Sequence, residues 1–356
     1  MDKIKIAGAG PAGLSAAINL AKAGFEVEVF ESGKDCGHRF GGDLQGFEAK
    51  PYDKDVIKDL ADMNIKINFD CDPFNECILM TDERQCTMKM DTPLYLFKRG
   101  PFKGTLDTGL KEQAVDSGVR ITFNRTMPKE EANIIATGPA GKEIFAVDKG
   151  IVFETSMENH VVCLVDDKAH VKAYAYMLVT NGYGCMCTML AGQFQKLNAC
   201  FDSAKKIFEK HFDPDIRNPK AVGGVATFSL KNEFQSGGKL YVGEAAGLQD
   251  MFLGFGIRRA ITSGYLASKS IIENKNYQEL ATEYFESRLK NSMVSRFMQE
   301  IFGNNLTYNF IINSINSSKG KSRILSAING RDYSYNKLLY RIALGYLSRR
   351  YKNLKA

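Results

Sequence analysis

The chain has 356 residues, 44% apolar and 25% charged, with eight cysteines, no tryptophan and a net charge of +6. That length is long for one core and points to two or three subdomains of an ordinary soluble globular protein, not a fibrous or disordered one. A run of about 18 apolar residues is absent, so no transmembrane helix is expected, and so mild a charge gives no reason to expect a nucleic-acid partner.

The first strand starts within a few residues of Met1, which leaves no room for a signal peptide and makes a cytoplasmic location the expectation. Residues 4–31 read IKIAGAGPAGLSAAINLAKAGFEVEVFE. A short apolar strand with Ile4 and Ile6 meets Gly8, Gly10 and Gly13, a helix follows, and a second strand with Val27, Val29 and Phe30 ends on Glu31. That β-α-β context gives the G-x-G-x-x-G spacing its physical meaning as a dinucleotide site. Gly8 allows the tight turn, Gly10 the approach of a pyrophosphate, and Gly13 the close lie of helix on strand. The start of the helix offers free N–H groups and partial positive charge to phosphates, and Glu31 can accept from a ribose.

Residues 36–47 form a glycine-rich loop, with Asp35 and Asp43 read as solvated carboxylates. Residues 52–68 read as a helix and then a strand, and 71–92 as a hairpin-like insertion. Leu106, Leu110 and Ala114 fall at helical spacing before Gly118 and a strand. Residues 132–141 are a buried strand meeting a Gly-Pro turn. Alternation over 151–230 predicts a mostly antiparallel sheet, interrupted by one helix near 201–211. Residues 239–272 read as strand, glycine-rich loop and long helix, with Arg258 and Arg259 on a charged face. The remainder, 276–356, is helical in pattern. Its end places Leu338, Leu339, Ile342, Ala343 and Leu347 beside Arg341, Arg349, Arg350, Lys352 and Lys355. Such a basic amphipathic helix either caps the protein's own core or rests on an anionic membrane surface.

The cysteines at 36, 71, 77, 86, 163, 185, 187 and 200 include no C-x-x-C pair and are expected as thiols. Neither they nor the four histidines have metal-ligand spacing, so no metal is expected.

Three separated segments, 8–31, IIATG at 134–138 and LYVGEAAGLQDMFLGFG at 240–256, resemble the flavoprotein monooxygenase-like, glutathione reductase-type FAD fold. Within it, the chain resembles the geranylgeranyl reductase family over residues 1–275. The likeness rests on Cys36-Gly37-His38-Arg39, on Arg99-Gly100-Pro101-Phe102, and on the Gly-Glu-Ala-Ala-Gly and Gly-x-Gly-Ile stretches. The resemblance implies an α/β chain. A Rossmann-type FAD-binding domain would comprise 1–70, 92–150 and 225–275, a mostly antiparallel substrate domain 71–91 and 151–224, and a helical C-terminal region 276–356.

It also implies residue roles. FAD would be held by Gly8, Gly10, Pro11, Ala12, Gly13, Glu31, Ser32, Arg99, Ala136, Thr137, Gly138, Gly243, Glu244, Gly254, Phe255, Gly256 and Ile257. Arg99 would reach the pyrophosphate or ribityl chain, as a planar guanidinium suits phosphate. Glu244 stands where the family's usual acid is Asp. Cys36, Tyr183 and Cys185 are the catalytic candidates, and His38, Gly42 and Cys187 the substrate contacts.

The chain also departs from the pattern. The family's Tyr-x-Trp-x-Phe-Pro stretch is here Tyr183-Gly184-Cys185-Met186-Cys187-Thr188. Two cysteines in place of Trp and Phe widen the pocket or leave it to be filled from elsewhere. Flavin halogenases carry a Trp-x-Trp motif that a tryptophan-free chain lacks. The Asp-Gly motif of the hydroxylases is replaced by Gly138-Pro139-Ala140-Gly141-Lys142. No second G-x-G-x-x-G marks a nicotinamide domain, so electrons would come from a transient NAD(P)H contact, a ferredoxin or another redox partner protein.

Three readings follow. The first is an FAD-dependent reductase of carbon–carbon double bonds in an isoprenoid or related lipid. The second is an FAD-dependent hydroxylase of an apolar or aromatic substrate, and the third a flavin electron-transfer protein.

Overall fold

The computed structural model describes residues 3–47, 55–139, 144–230, 233–315 and 337–351. Leu338's side chain, Lys352, Lys355 and residues 140–142 of the Gly-Pro turn lie outside the described part. The chain begins with β1 (Lys3–Ala7), α1 (Pro11–Lys22), β2 (Glu26–Phe30), β3 (Leu44–Phe47), α2 (Val56–Asp62), β4 (Asp72–Met80), β5 (Gln85–Lys98), α3 (Leu106–Asp116), β6 (Arg120–Thr122) and β7 (Ile134–Ile135). It continues with β8 (Ala146–Glu154), β9 (His160–Leu164), β10 (Ala175–Thr180), β11 (Tyr183–Leu190), α4 (Leu197–Phe212), β12 (Arg217–Ala226), β13 (Gln235–Ser236) and β14 (Lys239–Tyr241). Among the described residues, three helices follow: α5 (Ile257–Ile272), α6 (Tyr277–Ile315, kinked at Gly303) and α7 (Lys337–Arg350).

The first sheet has the order β13-β14-β7-β1-β2-β6. It is parallel apart from the β13–β14 pair, with Ile4 opposite Val27 and Ile6 opposite Val29. Two glycines bring α1 down onto it. Gly8 has φ +106, and a Cβ there would stand 2.3 Å from the Ala136 carbonyl oxygen. A Cβ on Gly13 would stand 2.1 Å from the Gly8 carbonyl oxygen. A side chain at either position would push helix and strand apart. On its other side α1 meets α5, where Ser15 Oγ donates to the Ile261 carbonyl at 2.8 Å.

The expected strand after α2 does not form. Met63 and Asn64 turn the chain, Asn64 at φ 60, and Ile65 enters the core. The Gln113 amide then takes over what a neighbouring strand would supply, accepting from Lys66 N at 2.8 Å and donating to its carbonyl at 3.0 Å.

The second sheet has the order β12-β8-β11-β10-β9-β4-β5-β3 and is antiparallel except for β4 beside β9. The insertion at 71–92 is a hairpin of this sheet, turned by the hydrogen bond from Thr81 N to the Arg84 carbonyl. The sheet reaches beyond 71–91 and 151–224, taking in β3, residues 92–98 and the start of β8. Strand parity sorts its two faces. Met177, Val179 and Met186 pack under Ala204, Ile207 and Phe208 of α4. Leu94, Leu96, Val161, Leu178, Cys185 and Cys187 form the opposite face, which Leu44 and Phe255 join.

The C-terminal helix caps the protein's own core: Leu347 is buried with Met293, Phe145 and Phe228. Beside it, the side chain of Glu300 in α6 is fully buried and accepts from Arg296 at 2.9 Å and Arg350 at 2.6 Å, with Lys172 at 3.4 Å and the Tyr351 hydroxyl also on the carboxylate. Burial alone would raise its pKa, but Arg296, Tyr351, Lys172 and Arg350 together hold it below the ordinary carboxylate value.

Candidate active site

One cleft of about 1110 Å³ runs from the glycine turn of the first sheet to the apolar face of the second. Its first end is built by Gly8, Gly10, Pro11, Ala12, Glu31, Ser32 and 136–138. Gly10 leads into α1 with Pro11 at the first helical position, and no side chain among the described residues caps that first turn. A Cβ on Gly10 would meet nothing within 4 Å, so backbone N–H groups face open space of the kind a pyrophosphate needs. Glu31 accepts from Ala9 N at 2.9 Å and Gly33 N at 2.8 Å, which fixes its carboxylate at the rim. Gly13 does not line the cleft; its service is the packing of helix on strand.

The middle of the cleft is crowded with ionisable groups. Arg99 is buried, and its Nε and Nη2 edge is taken by Asp107 at 2.8 and 2.9 Å. Its Nη1 donates to Gln45 Oε1 at 2.8 Å, and Phe40 lies 4.0 Å under the guanidinium. The fork expected for phosphate is therefore closed by an acid eight residues along the chain. Asp43 is no solvated loop carboxylate. It lines the cleft, accepts from Gly41 N at 3.1 Å and Gln45 Nε2 at 3.3 Å, and burial raises its pKa. Glu244 accepts from Thr227 N at 3.1 Å, with Arg39 3.8 Å away, and burial raises it too.

Asp148, which no motif marks, lines the same stretch. Burial, reinforced by Asp43 and opposed by Arg39, raises its carboxyl to about 6. Arg258 and Arg259 are also no exposed face: both are buried, against Asp59 at 2.8 Å and Asp250 at 2.8 Å. The second pair orders the glycine loop, since Asp250 Oδ1 also accepts from Phe252 N and Leu253 N. That loop, with Gly254 at φ +74, carries Gly254, Phe255 and Gly256 along the cleft to the start of α5 at Ile257.

The far end is apolar and rich in sulfur, lined by Cys77, Met88, Met90, Cys163, Cys187 and Met189, with Tyr174 and Tyr176. Of the expected substrate contacts, Cys187 and the exposed His38 line the cleft and Gly42 does not. None of the three catalytic candidates lines it. Cys36 is packed in the core of the first sheet, where burial raises its thiol to about 12. Cys185 is covered by Leu44, Val152 and Leu178, with its Sγ 3.8 Å from that of Cys187. Tyr183 has its hydroxyl proton committed to the Gly42 carbonyl at 3.0 Å, and burial raises it to about 12. All eight cysteines are free thiols, and no metal-binding group of His, Cys, Asp and Glu occurs among the described residues.

Residues 6–50 match the model of the NAD(P)-binding Rossmann-like domain. Nearly the whole chain superposes on solved structures. A geranylgeranyl bacteriochlorophyll reductase-like protein from Thermoplasma acidophilum superposes with TM-score 0.71 at 16% identity, covering 95% of this chain and 98% of that one. A flavin-dependent brominase gives 0.64 at 13%, covering 98% and 99%. A 2-methyl-3-hydroxypyridine-5-carboxylic acid oxygenase variant gives 0.58 at 15%, covering 92% and 95%. The chain shares the fold of these proteins. No curated protein matches the sequence. Neighbours named for reduction, halogenation and oxygenation share the scaffold, so the scaffold does not set the reaction.

Proposed function

We propose that the protein is an FAD-dependent oxidoreductase that reduces carbon–carbon double bonds of an isoprenoid or related apolar lipid. The observation that carries this reading is the continuity of the cleft: a glycine turn suited to a dinucleotide opens directly onto an apolar, sulfur-lined wall. Bound FAD supplies a two-electron hydride store. The turn at Gly8 and Gly10, Glu31 and the uncapped start of α1 hold its ADP half. Gly243, Glu244 and the loop Gly254, Phe255 and Gly256 flank the flavin half, and backbone N–H groups at the start of α5 favour negative charge there. The wall of Met88, Met90, Leu94, Cys163, Leu178 and Met189 takes an apolar chain and excludes water from the reacting carbons. The small Cys187 keeps that wall open where a bulkier aromatic would fill it. The absence of any tryptophan speaks against the halogenase chemistry of the brominase-like scaffold.

Electrons arrive from a transient NAD(P)H contact or from a ferredoxin. No helix among the described residues is long and apolar enough to cross a membrane. A cytoplasmic protein with surface access to its lipid substrate fits the reading.

The test is to reduce the FAD-loaded protein anaerobically, supply geranylgeranyl lipids and shorter polyprenyl groups, and look for products heavier by two hydrogens. The absence of hydrogen transfer to any of them refutes the reading. Rapid NAD(P)H oxidation in air with a hydroxylated product would replace it with the oxygenase alternative.

A further inference from the structure

Saturating a carbon–carbon double bond takes one hydride and one proton. The hydride forms a bond to one carbon and leaves its two-electron donor oxidised. The π pair then bonds a proton at the neighbouring carbon. An unactivated alkene is a poor hydride acceptor, so that proton must be held in place. The chain has to supply it, and Cys36, Tyr183 and Cys185 do not face the cleft.

Between the nucleotide end and the apolar wall, the described acids are engaged to different degrees. Asp250 accepts from two backbone N–H groups and Arg259. Asp43 accepts from Gly41 and Gln45, and Glu244 from Thr227. Asp148 has only the Gly224 backbone and the Arg39 charge to oppose the effect of burial. The neighbouring strand makes room for it. Gly224 lies opposite Asp148 in the β8–β12 register, and a Cβ there would stand 3.1 Å from Asp148 Oδ1. A Cβ on Gly223 would stand 2.7 Å from the Asp148 carbonyl oxygen. Both glycines line the cleft beside Asp148.

Across this part of the cleft, the loop after β2 brings Asp43 and Arg39 into electrostatic reach of Asp148. Tyr174 just before β10, Tyr176 in β10 and Cys187 in β11 come within the same reach. Those three are poor donors. The Tyr174 hydroxyl is bonded to the Leu253 carbonyl, and burial raises both tyrosines. The Cys187 thiol is raised by its hydrogen bond with Cys185 and by burial.

We propose that Asp148 is the catalytic acid of this cleft, giving the proton on its carboxyl oxygen to the alkene carbon that receives no hydride. The O–H bond breaks, its electron pair stays on the carboxylate, and a proton from solvent restores the acid. Asp43 beside it adds to the effect of burial in raising the Asp148 carboxyl, which helps keep Asp148 protonated until it is used. The assignment rests on the reductase reading above.

The experiment has two arms. Infrared titration of the FAD-loaded protein should show a protonated-carboxyl band with a midpoint near pH 6 that Asp148→Asn abolishes. In single turnovers of reduced protein with lipid, Asp148→Asn should slow product formation by about 10²- to 10⁴-fold. Reduction of its flavin by dithionite should stay at the wild-type rate, and Asp148→Glu should recover part of the turnover with a displaced pH profile. In the wild type, turnover should fall as pH rises above 6. A titrating band that survives in Asp148→Asn, or turnover within threefold of wild type with an unchanged pH profile, overturns the assignment alone. Wild-type protein that transfers no hydrogen overturns the reductase reading and the assignment with it.

Discussion

Arg99 and Asp107 are joined by two parallel hydrogen bonds, Nε to Oδ2 at 2.8 Å and Nη2 to Oδ1 at 2.9 Å, with both side chains almost wholly buried. Asp107 Oδ2 also accepts from Gly100 N at 2.9 Å. The pair ties the end of β5 to the first turn of α3 at the floor of the cleft. Removing one partner strands the other charge out of water. Asp107→Ala should lower stability by about 3–5 kcal/mol. Urea denaturation should find Asp107→Ala with Arg99→Met less destabilised than the sum of the two single changes.

Tyr183 holds the glycine loop by its hydroxyl, and Gly42 there has φ +100 with room for no side chain: a Cβ would lie 2.6 Å from that hydroxyl oxygen. Tyr183→Phe should cost about 1 kcal/mol, the worth of one hydrogen bond, and leave turnover within a few-fold of wild type. Gly42→Ala should cost more, through both strain and contact. Adding Tyr183→Phe should restore part of that loss, read as a positive coupling in a thermal-denaturation cycle. A Tyr183→Phe protein with no turnover would return the tyrosine to the chemistry.

His170 is buried with neither ring nitrogen hydrogen-bonded among the described residues, and burial lowers its pKa to about 4 in spite of Asp167 and Asp166. The ordinary value is about 6.5, so between these two values the unfolded chain binds the proton and the folded chain does not. Stability is then complete above about pH 6.5 and falls as pH drops toward 4, by about 2 kcal/mol at pH 5. Urea midpoints at pH 7 and pH 5 should converge in His170→Leu relative to wild type.

If the turn at Gly8 and Gly10 holds a dinucleotide, FAD at 100 times its dissociation constant should stabilise the protein by about 2.7 kcal/mol. Gly10→Val, which fills open space at the start of α1, should abolish that stabilisation while leaving the apoprotein folded. Calorimetry with and without FAD separates the two effects.

The glycine turn was legible because its signal is local: three glycines, two strands and an acid within 28 residues, in an order that physics makes meaningful. The antiparallel sheet was legible from alternation, and α3 from Leu106, Leu110 and Ala114. What failed depended on distant partners. Ile65 and the residues after it look like strand, yet Gln113 satisfies Lys66. Asp43, Arg258 and Arg259 look solvated until Gln45, Asp59 and Asp250 come into place. Asp148 carries no motif at all. Its character comes from Gly223 and Gly224, more than 70 residues away, and from a loop more than 100 residues before it. The doublet Gly223-Gly224 inside β12 was a sequence signal that a neighbouring group needed space.

The buried knot at Glu300 has a consequence for how the chain is completed. Its cations come from three places: Lys172 before β10, Arg296 on the same helix, and Arg350 near the end of α7. Arg350 emerges from the ribosome last. Until it does, α6 presents an acid and two cations without the final cover of α7, and Met293 and Phe145 lack Leu347. A chain that stops before residue 337 would therefore lose more than a peripheral helix. It would leave an apolar scar and strip Glu300 of one of its partners beside Gln299, which itself reaches the cleft, and such a product is the natural prey of quality-control proteases.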